Sequence, residues 1–163
     1  MVQRWAKIAL VSAVAFFYTL VVFNNLTDYG SNFQVVRHTL TMDTTFPVNH
    51  GMWRAIHSPA IHTLFYLTII AWEIVTCLLL WWGMVRLIRA QRGPAREFDQ
   101  AKTVSLSGLA LSLLMWLVAF LTVGGEWFLM WQSLAWNGQT AAARDFTVVG
   151  IVFLILQQPE SQA

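Results

Sequence analysis

The sequence predicts an all-α fold: a four-helix transmembrane bundle with a short interfacial helix in the first outer loop. Three observations predict it. Apolar runs lie near residues 6–23, 61–88, 104–123 and 146–156, the last read as part of a span at 140–157, and a hydrocarbon core about 30 Å thick needs roughly 20 apolar residues per crossing helix. Charged residues form only 11% of the chain and hydrophobic ones 57%, against about 25% charged in average soluble domains. Positive charge alternates between the runs. Seven of the ten Lys and Arg are Arg4, Lys7, Arg86, Arg89, Arg92, Arg96 and Lys102; only Arg37, Arg54 and Arg144 lie elsewhere. The positive-inside rule therefore predicts cytoplasmic termini, a cytoplasmic loop at 89–103, and an outer segment at 24–60. The 163 residues then form a single membrane domain with no room for a separate catalytic one. Beside membrane spans the basic loop is a topology signal touching anionic lipid, not a nucleic-acid surface.

The first run follows Arg4 and Lys7 and contains Ala13-Val14-Ala15, a signal-peptide-like pattern. It continues to Phe23, well past that small-residue site, so a retained helix is expected. Asn24-Asn25 end it. The outer segment mixes Asp28, His38, Asp43, Arg54 and His57 with Phe33, Val35, Val36, Leu40 and Met42. That loose helical stripe predicts a short helix on the outer membrane face, with Trp53 at headgroup level. Ser58-Pro59 starts the second span.

The second run, 28 residues long, measures about 42 Å as a helix and must tilt or project. Trp81 and Trp82 mark its inner end, and Gly93-Pro94 breaks the following loop. The third run ends at Gly124-Gly125, followed by Trp127, Trp131 and Trp136 as an outer aromatic belt. Asn137-Gly138 is a turn signal. The fourth span starts near Gln139 and carries Arg144 and Asp145 into the outer part of the membrane. A short tail, Gln157 to Ala163, leaves little for a cytoplasmic partner to grip.

Charged residues inside a membrane are costly and suggest function. Glu73 lies about 20 Å above the inner edge at Arg86, and Arg144 about 18 Å above Leu156. Similar depth predicts a Glu73–Arg144 ion pair, which relieves the desolvation of both. His62, Tyr66, Glu73 and Cys77 share one face of the second helix. The face formed by His62, Tyr66 and Glu73 is a candidate ligand site for a quinone headgroup or, through His62, b-type haem. No other span offers a second axial histidine. The outer histidines and aspartates match no metal-ligand spacing, so no metal is assigned. The lone Cys77 excludes an intrachain disulfide, and no P-loop, GxSxG or HExxH motif is present, so no catalytic residue is assigned. Asp28, His38, Asp43, Trp53, Arg54, Trp131 and Trp136 are the candidate outer interface.

The polar punctuation carries a resemblance. Asn24-Asn25-Leu26-Thr27-Asp28-Tyr29, Met42-Asp43, Trp53-Arg54-Ala55-Ile56 and the run from Met130-Trp131-Gln132-Ser133 through Trp136-Asn137-Gly138-Gln139 resemble a bacterial family of predicted small integral membrane proteins of unknown function. The likeness extends from Arg4 to Gln157. It implies a four-helix, multi-pass protein of the bacterial inner membrane and brings no activity, cofactor or catalytic residue with it. The functional expectation is an accessory or assembly subunit of a larger inner-membrane complex, respiratory ones among the candidates, with lipid and other membrane subunits as partners. The alternative is a small-molecule-binding membrane protein holding a quinone or haem. A transporter is disfavoured because no span carries a midplane Gly or Pro break.

Overall fold

The computed structural model describes residues 1–160. The last three residues of the expected cytoplasmic tail lie outside the described residues. Helix α1 covers Val2–Thr27, α2 Tyr29–Thr41, α3 Pro59–Ala90, α4 Ala95–Leu114 and α5 Gln139–Gln157. Among the described residues there is no strand. Four helices are long and apolar enough to cross a membrane: α1, α3, α4 with its continuation, and α5.

These helices bury little of their apolar surface against one another. Between 22% and 33% of each apolar window is buried, and Phe16, Phe23, Leu64, Leu78, Ile151 and Leu154 stand exposed on the outer faces. An apolar surface of that extent has no stable place in water. A lipid environment removes the problem.

Helix α3 is the centre of the bundle. Its buried residues recur at intervals of three and four: His62, Tyr66, Ile70, Glu73, Thr76, Leu80, Gly83, Leu87 and Ala90. That repeat makes one seam along a helix. α4 meets the seam with Ser105, Gly108 and Ser112, all buried. A Cβ at Gly83 would collide with Ser105, and one at Gly108 would press on Leu80. Small residues at such crossings let membrane helices approach closely and gain dispersion energy that lipid does not already supply. Interhelical hydrogen bonds add to the packing. Tyr18 Oη and Ser112 Oγ are 2.6 Å apart, Trp81 Nε1 donates to Thr19 Oγ1 at 2.9 Å, and Trp72 Nε1 donates to the Leu111 carbonyl at 3.0 Å.

Two features depart from the sequence expectation. The interfacial helix begins at Tyr29, separated from α1 only by Asp28, because the Tyr29 and Phe33 rings both rest on Tyr66, at 4.7 and 5.8 Å. The third span changes winding: from Met115 to Trp127 it is π-helical over 13 residues. Thr122 Oγ1 donates to the Leu117 carbonyl, five residues back, at 2.8 Å. π-turns are rare and frequently mark functional sites.

At the end of the bundle where α1 begins and α5 ends, Glu160 gathers three cations. Its carboxylate lies 2.5 Å from Lys7 Nζ, 3.1 Å from Lys102 Nζ and 3.2 Å from Arg4 Nε. Lys7 and Lys102 both donate to the Gln158 carbonyl as well. This cluster ties the last described residues to α1 and α4.

Candidate functional site

At the opposite end the two outer segments, far apart in sequence, close into one cap. Thr44 Oγ1 donates to Ser133 Oγ at 2.8 Å, and the Phe46 amide donates to Gln132 Oε1 at 3.1 Å. His38 sits 2.9 Å from Asp43 and stacks on Trp136 with ring centroids 4.5 Å apart. Phe46 meets Trp131 edge-on. Arg54 lies against the rings of both Trp53 and Trp127, at 5.4 and 5.3 Å, and donates to the Trp127 carbonyl at 3.0 Å. Beneath these contacts Leu40, Met42 and Phe128 form a small apolar core of their own. Met42 and Leu129 have φ of 53° and 55°, left-handed turns that cost energy for residues with a Cβ. Both occur where the chain leaves a helix to enter this core.

The structure thus brings six of the seven expected outer-interface residues into one cap: His38, Asp43, Trp53, Arg54, Trp131 and Trp136. Asp28 remains exposed at the α1–α2 junction. Among the described residues no three His, Cys, Asp or Glu converge at metal-ligand spacing.

Below the cap lies a cleft of about 310 Å³, walled by the end of α1, by α2, α3, the π-helical stretch and the start of α5. Glu73, only 3% exposed, lies at its polar side. Asn25 Nδ2 donates to Glu73 Oε2 at 2.6 Å, and Tyr66 Oη donates to Asn25 Oδ1 at 3.1 Å. Asn24 and Asn32 add two further amides, and Val21, Val36, Ile69, Trp116 and Phe120 supply the apolar and aromatic walls. The rings of Trp116 and Phe120 are tilted against each other at 4.9 Å. Both belong to the π-wound part of the third span. Trp116 is buried, and its Nε1 has no hydrogen-bond partner.

The face expected on α3 divides in two. Tyr66 and Glu73 line the cleft. His62 turns its Nε2 to the Ile56 carbonyl at 2.7 Å, anchoring the outer segment where α3 begins. The expected Glu73–Arg144 ion pair is not formed. Glu73 is held by Asn25 instead, and Arg144, with its side chain 68% exposed, bonds neighbouring Asp145 at 2.9 Å. The reason is azimuth. The buried face of α5 is Ala142, Val149, Val152 and Leu156, and Arg144 stands two residues off it, nearly on the far side of the helix. Depth along the membrane follows from counting residues; direction around the helix does not.

Sequence reasoning missed Asn25 as the partner of Glu73, and Trp116 and Phe120 as cleft walls. Asn24-Asn25 had a visible signal, two amides at the end of an apolar run, but a helix-ending role accounts for it equally well. No sequence signal announces the π-winding.

No curated protein and no solved structure matches the chain. A family model described as "Predicted small integral membrane protein (DUF2165)" matches residues 3–159. With that match over nearly its whole length, and four apolar helices whose outer faces require lipid, the chain belongs to this family of small integral membrane proteins.

Proposed function

We propose that this protein is an accessory or assembly subunit of a larger bacterial inner-membrane complex, without catalytic activity of its own and with both termini in the cytoplasm. The observation that carries this reading is the cap. Its two segments are fixed to each other by side-chain hydrogen bonds and ring contacts, yet Trp53 is 73% exposed and Leu134 fully so. Exposed aromatic residues on a rigid frame are the usual anchors of protein interfaces. Purification in mild detergent after cross-linking tests it. A membrane protein partner should co-migrate in fixed ratio and be lost when Trp53 and Leu134 are both changed to Ser. A chain that migrates alone, or a partner retained by that variant, overturns the reading.

A second reading has its own observation, the cleft. A concave, largely apolar site with a few converging polar groups is the common form of a small-molecule site, and this one supports binding of a small headgroup of the quinone class. Haem ligation has less support, because His62 Nε2 is already engaged by the Ile56 carbonyl.

A further inference from the structure

The groups around the cleft restrict what can fill it. Glu73 Oε2 is bonded to Asn25, while Oε1 has no protein partner among the described residues. Asn25 Nδ2 already serves Oε2, and Tyr66 Oη serves Asn25. No Lys, Arg or His lines the cleft, and no cation pairs with Glu73 in any described ion pair. The same lining includes the aromatic residues Trp116 and Phe120, and aromatic ring faces attract cations. A carboxylate oxygen without a donor, on a nearly buried residue that shares a cleft lining with aromatic rings, is a complement for positive charge. The volume, about 310 Å³, is far larger than a bare metal ion and lies at the low end of the roughly 300–1,000 Å³ of small-molecule sites.

We infer that the cleft between the end of α1, α2, α3, the π-helical stretch and α5 binds a small primary organic cation, its ammonium group donating to Glu73 and its apolar body lying against Trp116, Phe120 and Ile69. The inference rests on the second reading above, that the cleft is a binding site, and departs from it on the charge of the ligand. Glu73 supplies the counter-charge and one acceptor. The side-chain carbonyls of Asn24 and Asn32 supply further acceptors for the remaining ammonium hydrogens. The aliphatic wall of Val21 and Val36 excludes a heavily hydrated ion.

The full chain in nanodiscs, labelled with 5-fluorotryptophan, tests this. The Trp116 resonance is assigned by its loss in Trp116→Phe. Three probes are titrated: n-butylammonium, its neutral analogue 1-butanol, and decylubiquinone. Butylammonium should shift the Trp116 signal saturably, 1-butanol should not, and Glu73→Gln should weaken the ammonium response by at least about ten-fold, the loss of one charge-assisted contact. Ala141→Phe, which fills the cleft from α5 and spares the polar cluster, should abolish it. A saturable shift with decylubiquinone and none with butylammonium overturns the cationic ligand and leaves the binding site standing. No saturable shift with any probe overturns both. An ammonium response unchanged in either variant overturns the placement at Glu73.

Discussion

Glu160 shows how much one residue contributes at the end of the bundle where α1 begins and α5 ends. Its burial pushes the carboxyl pKa up, but Lys7, Lys102 and Arg4 pull it down further, and the balance is a value lowered to about 2 from 4.5. A carboxyl whose folded pKa is depressed stabilises the fold above its unfolded pKa, and that contribution is lost as pH falls through the folded one. Glu160→Gln should therefore cost about 2 kcal/mol at pH 7, less than the roughly 3–5 kcal/mol of a deeply buried pair because this end borders water. Thermal unfolding in detergent at pH 7, 4 and 2.5 measures it. The gap between wild type and variant should narrow between about pH 4.5 and 2. A gap that persists unchanged at pH 2.5 would show that the carboxylate charge is not what stabilises this end. Nothing in the local sequence marks Glu160, since its partners lie 58 to 156 residues away along the chain. Glu73 is different: a lone carboxylate in an apolar run is conspicuous by its cost, although its partner was not.

At the scale of elements, the α3–α4 crossing depends on the absence of side chains. Gly83 sits directly against Ser105. Gly83→Val should destabilise the bundle by about 1–3 kcal/mol through overpacking. Gly30, within α2, has open space where a Cβ would be, so Gly30→Ala should be neutral or stabilise by up to about 1 kcal/mol through helix propensity. Comparing the unfolding midpoints of the two variants separates close packing from propensity. Equal effects would mean that the crossing tolerates separation. The four spans were legible because length and apolarity suffice to recognise a transmembrane helix. The start of α2 at Tyr29 and the π-winding from Met115 were not: the first goes with ring contacts to Tyr66, a residue distant in sequence, and the second has no local sequence mark.

For the whole molecule, four crossings place both termini on one side, and the seven-to-three split of Lys and Arg predicts that this side is the cytoplasm. Fusions of a reporter active only in the periplasm, placed after residue 45 and after residue 95, check it. The first should be active and the second silent, and the opposite pattern would reverse the orientation. If the first fusion is active and the second silent, the cap and the cleft belong to the outer face.

The sequence by itself determined the membrane class, the four spans, the short outer helix and the presence of a costly buried carboxylate at Glu73. All of these depend on how many apolar residues lie in a row and which residues interrupt them, quantities local to the chain. Tertiary structure alone decided who meets whom. It turned Arg144 away from Glu73 and Asn25 toward it, gave His62 to a backbone carbonyl, joined residues 38–54 to residues 126–136 as one cap, and set Trp116 and Phe120 in the cleft lining. Lipid explains the division. Because hydrocarbon is as apolar as the helix surfaces, it fixes the depth of each residue but exerts almost no preference among helix rotations. That choice falls to a few small residues and hydrogen bonds between helices, whose partners are distant in sequence.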